Sequence, residues 1–293
     1  MQFGNSAACA TAGEKSDFDG EARGWRSFGV VRRDAPSAIL ILCDHATNAL
    51  PPEYGSLGLP EWRLDRHIAY DIGALPVALE LGRHLNATVV YSRFSRLLID
   101  PNRGRDDPTL IMQLSDGAVI PGNARLDEPE ISKRIERFYA PYDDAVSTEI
   151  AFMKEHGVTP CLISLHSFTE SWRDAPRKWH AGILWDKDPR MAMPLLHELR
   201  ARTSFEIGDN EPYSGQLRGD MLHRHATVAG LPHALIEVRQ DLIRDEAGQM
   251  AWASLLAECI ASLFANKTME ADLSRVEYFG SHTDIEASDR NGC

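Results

Sequence analysis

The chain has few of the features that mark secreted, membrane-spanning or nucleic-acid-binding proteins. It carries only five cysteines, Cys9, Cys43, Cys161, Cys259 and Cys293, and no C-x-x-C pair. An odd and widely spaced set excludes a disulfide framework and points to the cytoplasm. Cys43 and Cys161 lie inside apolar runs, where a free thiol behaves as a small hydrophobe. No stretch reaches the roughly 18 consecutive apolar residues of a spanning helix, so no membrane span is expected. Met1 to Asp19 lack the basic start and apolar core of a secretory signal. Basic residues are in deficit, 31 against 43 acids, for a formal charge of -12. That balance argues against nucleic acid or an anionic membrane as partner, although a local pair of arginines can still hold a small anion. Internal repeats, low-complexity blocks and interdomain linkers are absent, and nothing in the sequence sets an oligomeric state.

What is present is an ordinary globular composition, 43% hydrophobic and 25% charged over 293 residues, enough for a large core. Small polar residues in 1–24 read as a flexible arm. Ile39-Leu40-Ile41-Leu42-Cys43 is a continuous apolar run, the pattern of a strand buried on both faces. Leu64 to Leu85 recur apolar at three-to-four spacing and predict a helix that Gly73 and Pro76 bend or weaken. Strands follow at 87–91 and, within an irregular region, at Leu97-Leu98-Ile99. The loop to Asn123 is long enough to be functional, a lid over a cleft being one form. Asp127 to His156 is an amphipathic helix stopped by Gly157. Strands at 161–165, 181–185, 205–207 and 234–239 alternate with helices at 191–202, 218–229 and 250–264. Residues 267–293 read as an irregular tail. The alternation predicts an α/β fold: a single three-layer domain, its sheet mixed and mostly parallel, with helices on both faces.

Three buried strands end in polar residues. The first ends in Asp44-His45, the second in His166-Ser167, and the third carries Glu237 and Arg239, which alternation puts on one face. Ligand sites in open α/β sheets lie at such carboxyl edges. Two neutral imidazoles are a start toward a catalytic zinc, which takes three protein ligands and leaves a position open. They can equally be hydrogen-bonded strand-end histidines. Asn48, Asp65 and His67 are the candidates for a third ligand. The last two have bland alternatives, a helix cap for Asp65 and an ion-pair partner of Asp71 for His67. Arg93, Arg96 and Arg103, with Asn102 between them, can grip a substrate carboxylate or form a solvated loop. Glu237, charged inside an apolar strand, is either a buried ion-pair member or a general base.

The set Cys43-Asp44-His45-Ala46-Thr47-Asn48, Asp65-Arg66-His67-Ile68-Ala69, Arg93-Phe94-Ser95-Arg96 through Asp100-Pro101-Asn102-Arg103, Leu165-His166-Ser167-Phe168 and Ile236-Glu237-Val238-Arg239-Gln240-Asp241 resembles the N-formylglutamate amidohydrolase family. The resemblance runs from about residue 38 to about residue 262, within a domain placed at 25–266. It implies a fold similar to the zinc carboxypeptidases, with a mixed eight-stranded sheet and one zinc per chain. It also implies a zinc-dependent amidohydrolase acting on a small N-acyl amino acid. On the carboxypeptidase order, His45 and His166 hold the metal. Arg96, Asn102 and Arg103 bind the substrate carboxylate, Tyr213 stands at the tyrosine station, and Glu237 is the general base. Arg239 stabilises an oxyanion or holds Glu237. Asn48 stands where that order has a glutamate ligand, so the third ligand stays open among Asn48, Asp65 and His67. The same departure leaves room for a binding protein that lost catalysis, and a peptidase or deacylase of a larger substrate is the other alternative.

Overall fold

The computed structural model describes residues 25–32, 37–173 and 175–284. The arm expected over 1–24 and the end of the expected tail, 285–293, lie outside the described residues. The strands are β1 (Phe28–Val31), β2 (Ile39–Cys43), β3 (Thr88–Ser92), a hairpin of β4 (Leu114–Ser115) and β5 (Ala118–Val119), β6 (Cys161–Phe168), a hairpin of β7 (Ser171–Trp172) and β8 (Ala175–Pro176), β9 (Ala181–Leu184), β10 (Ile207–Asp209) and β11 (His233–Arg239). The helices are α1 (Ala74–Leu85), α2 (Glu128–Arg134), α3 (Ala140–Glu155), α4 (Ala192–Arg202), α5 (Glu246–Ala265) and α6 (Lys267–Leu273).

One sheet runs in the order β1-β3-β2-β6-β11-β9-β10. The neighbours β3–β2, β2–β6, β6–β11 and β9–β10 are parallel, and β1–β3 and β11–β9 are antiparallel. The sheet is therefore mixed and mostly parallel, with seven strands among the described residues where the resemblance implied eight. Strands β2 and β6 are buried along their whole length, as unbroken apolar runs require when both faces are covered. Ile39, Ile41 and Cys43 face a layer that includes Leu81 of α1, Leu195 of α4 and Leu256 of α5. Leu40 and Leu42 face Tyr142 and Val146 of α3. Helix α5 is long and apolar enough to cross a membrane by length and composition. Its Trp252, Leu256, Ile260 and Leu263 are nonetheless buried in the same core as α1 and α4. Cys43, Cys161 and Cys259 are buried free thiols.

Four elements differ from the sequence reading. The helix expected from Leu64 begins at Ala74 instead, and residues 64–72 are turns. Gly73 ends those turns at φ 80°, and a Cβ there would meet the Ile243 carbonyl oxygen at 2.2 Å. Pro76 thus sits in the first turn of α1, where a missing N–H costs nothing, and marks a helix start rather than a bend. Leu97, Leu98 and Ile99 are buried in turns, not in a strand. The helix expected at 218–229 shrinks to a short helical run over 221–227, mostly π-helical. The segment from 267 forms α6, capped by Asn266, and Glu277 N–H bonds the Gly230 carbonyl at 2.8 Å.

Candidate active site

Strands β2, β6 and β11 lie side by side, and their carboxyl ends share one edge. The β6–β11 register sets His166 opposite Glu237. His45 follows β2 by two residues and is 3% exposed, like His166. Their ring centroids are 5.0 Å apart in an edge-to-face arrangement.

Asp71 completes this group. Its backbone N–H donates to the His45 carbonyl at 2.9 Å, which folds the 64–73 turns against the end of β2. Its Oδ2 lies 2.8 Å from His166 Nδ1 and 3.3 Å from His45 Nδ1. The opposite nitrogen of each ring has its own carboxylate. His45 Nε2 is 2.7 Å from Asp100 Oδ1, and His166 Nε2 is 3.1 Å from Asp44 Oδ2. Asp44 is fixed in turn by the Tyr142 and Ser164 hydroxyls, both donating at 2.7 Å. Both rings therefore aim Nδ1 at Asp71 and anchor Nε2 outward, the carboxylate–histidine arrangement that orients metal ligands.

The electrostatics follow from burial. Four buried carboxylates, Asp44, Asp71, Asp100 and Glu237, converge on this edge. Arg96 reaches two of them, Asp100 at 2.9 Å and Asp71 at 3.5 Å. Burial opposes ionisation of Asp71 and Asp100, yet the His45 and His166 imidazoles hold Asp71, and the His45 imidazole with Arg96 holds Asp100, well below the usual carboxylate range. Burial likewise opposes a charged His166, but its bonds to Asp44 and Asp71 push it well above the usual imidazole value. Glu237 goes the other way: burial, helped by the Asp71 charge and opposed by the imidazoles and Arg96, raises it to about 7. Two buried polar atoms have no partner here, Glu237 Oε2 and Arg96 Nε.

His45, Asp71 and His166 place one ligand atom each within 4.8 Å of one another, so they form a set able to hold a metal ion. Two nitrogens and a carboxylate oxygen suit zinc and leave a coordination position open. Acid in excess of fixed cation favours a dication at this point.

The other residues singled out in the sequence are placed as follows. Asn48 donates its amide to the Leu64 carbonyl at 3.0 Å and to Asp65 at 3.2 Å, so Asn48 and Asp65 tie two loops together. His67 pairs with Asp116 of the β4–β5 turn at 3.5 Å. None of these three is in the group of His45, Asp71 and His166 able to hold a metal ion, because the chain from Leu64 turns rather than coils and presents Asp71 there. Asn102 accepts from Met221 N–H at 2.9 Å, and Arg103 approaches Asp100 at 4.0 Å. Arg239 bonds Asp241 at 2.7 Å and the carbonyls of Arg177 and Trp179, so it fastens the chain after β8 and does not hold Glu237. Tyr213 is 42% exposed, and burial together with the Glu237 charge pushes its phenol up. Asp71, Asp100 and Tyr142 were not identified as site residues from the sequence. Gly73 followed by Pro76, a turn residue ahead of a helix-start proline, is the sequence signal for a turn at Asp71.

The N-formylglutamate amidohydrolase family model matches residues 37–244. The chain is 35% identical to a gene product of Agrobacterium tumefaciens of known crystal structure. That match covers 86% of this chain and 97% of the other, with a TM-score of 0.79. It is 19% identical to an N-formylglutamate amidohydrolase from Ralstonia eutropha, covering 84% and 97% respectively, with a TM-score of 0.63, a likeness of fold. No curated protein matches the chain. The family match spans every residue of the His45, Asp71 and His166 set together with Arg96, Asp100 and Glu237, and on it the chain belongs to the N-formylglutamate amidohydrolase family.

Proposed function

We propose that the protein is a zinc-dependent amidohydrolase that cleaves the C–N bond of a small N-acyl amino acid, N-formylglutamate being the reference case. The observation that carries this reading is the pair of unpartnered buried atoms, Glu237 Oε2 and Arg96 Nε, beside the His45, Asp71 and His166 set. A buried acceptor and a buried donor left open in one place are the groups a reacting water and an amide would satisfy.

A zinc ion on that set supplies Lewis acidity toward a carbonyl oxygen and makes water more acidic. Glu237 takes a proton from the attacking water, and its raised pKa of about 7 suits a base working near neutrality. The water oxygen bonds the acyl carbon, the C–N bond breaks, and Glu237 returns the proton to the leaving nitrogen. Arg96, held by Asp71 and Asp100, keeps an N–H free for negative charge developing on the carbonyl oxygen. Asp44 and Asp100 fix the ring orientations of His166 and His45.

The test is metal content with formate release from N-formyl-L-glutamate. Wild type is expected to carry one zinc and to turn over, and His45→Ala to lose both. Full zinc content and activity in His45→Ala would sink the assignment.

A further inference from the structure

The arginines that the sequence suggests for a substrate carboxylate face carboxylates of the protein: Arg96 lies 2.9 Å from Asp100 and 3.5 Å from Asp71, and Arg103 lies 4.0 Å from Asp100. Arg177 is different. Among the described residues its guanidinium has no carboxylate partner; it makes two contacts of 3.4 Å with Thr169 and also meets the Tyr213 hydroxyl. It is nonetheless well placed. It stacks on the rings of Tyr213 at 4.9 Å, Phe168 at 5.4 Å and Trp172 at 5.7 Å. Its backbone is pinned by an N–H bond to the Glu170 carbonyl at 2.9 Å and by Arg239, which donates to its carbonyl.

Two observations aim this group at the active site. Phe168 lies two residues beyond His166 on β6, hence on the same face and about 7 Å along the strand. Tyr213, on which Arg177 stacks, feels the charges of both Glu237 and Asp71. The separation itself has a purpose. A substrate carboxylate placed among Asp71, Asp100 and Glu237 would be repelled, so its cation must stand one step away. A guanidinium flattened on aromatic faces is partly desolvated and keeps its N–H edge free for a bidentate carboxylate.

We propose that Arg177 is the specificity-determining residue that binds a carboxylate on the amino-acid half of the substrate, with Tyr213 and Trp172 as walls of that subsite. This rests on the amidohydrolase reading for the identity of the substrate, but not for the carboxylate site itself.

The test uses full-length zinc-loaded protein, Arg177→Met and Arg177→Lys, with four formamides. These are N-formyl-L-glutamate, N-formyl-L-glutamine, 4-formamidobutanoate and N-propylformamide. Arg177→Met is expected to lower kcat/KM about 100-fold for carboxylated substrates, mostly through KM, and to leave N-propylformamide within about threefold. Arg177→Lys, a charge without the fork, is expected to recover about tenfold. A loss confined to the glutamine derivative assigns the α-carboxylate, and one confined to 4-formamidobutanoate assigns the side-chain carboxylate. Equal losses on all four, or none, overturn the proposal. Calorimetric binding of L-glutamate separates the two readings. If wild type hydrolyses nothing yet binds glutamate about 100-fold more tightly than Arg177→Met, the hydrolase reading falls and the subsite stands. If glutamate binds both proteins alike, or neither, the subsite falls.

Discussion

His166 and Glu237 stand on adjacent strands, whereas Asp71, Arg96 and Asp100 stand on turns between Leu64 and Arg103. The two halves of the site hold their side chains by different means. On the strands, the β6–β11 ladder fixes the spacing of His166 and Glu237, and cores cover the ladder on both faces. On the turns, single bonds replace the ladder. Asp71 N–H binds the His45 carbonyl, Ser95 N–H binds the Ala49 carbonyl, and Ser95 Oγ binds the Ala69 carbonyl, which also takes the Arg96 N–H. The strand half is thus over-determined, and the turn half depends on a few groups. Damage to the strand half should remove chemistry and leave the frame, while damage to the turn half should loosen geometry and stability together.

The largest expected effect is on the strand half. Glu237→Gln keeps the shape, removes the proposed base, and should lower kcat by about 1000-fold with zinc content unchanged. Unaltered kcat would remove Glu237 from the chemistry. On the turn half, Gly73→Ala forces a Cβ into the Ile243 carbonyl at a left-handed φ, and should cost about 3 kcal/mol of stability in denaturant unfolding. A midpoint like wild type would show that the turn has slack. Ser95→Ala deletes a buried hydroxyl that binds the Ala69 carbonyl and the Leu97 N–H, and should cost about 1 kcal/mol with about a tenfold loss of activity as Arg96 loosens.

A carboxylate outside both halves sharpens the contrast by pH. Burial pushes Asp220 up to about 7, so folding favours its protonated form. Stability from this group is complete below the unfolded value near 3.8 and is lost as pH rises through about 7. Asp220→Asn should therefore stabilise the protein by about 2 kcal/mol at pH 8, with a smaller gain at pH 5. A gain that does not vary with pH would show that its charge is not what the fold resists.

The same division governs how much the sequence reveals. Buried strands announce themselves as apolar runs, so β2, β6 and β11, and with them His45, His166 and Glu237, were visible at the polar ends of those runs. The layer order followed from strands alternating with helices. Turns have no period. Leu64, Ile68 and Ile72 match a helical spacing although residues 64–72 are turns, Leu64 and Ile68 packing into one core, and the match places Asp71 inside an expected helix. Leu97-Leu98-Ile99 match a strand because three consecutive turn residues are buried in one core. Asp100 lay in plain view between Arg96 and Asn102, but its role depends on His45 reaching it from 55 residues away, and that approach is tertiary. Arg239 shares its strand face with Glu237 yet is drawn off by Asp241, a neighbour two residues on.

The central claim is that Asp71 joins His45 and His166 in holding one zinc, although it comes from a turn. Metal content of purified Asp71→Ala beside wild type tests it most directly. The account predicts about one zinc per chain for wild type and nearly none for Asp71→Ala. Full zinc occupancy in Asp71→Ala would contradict it.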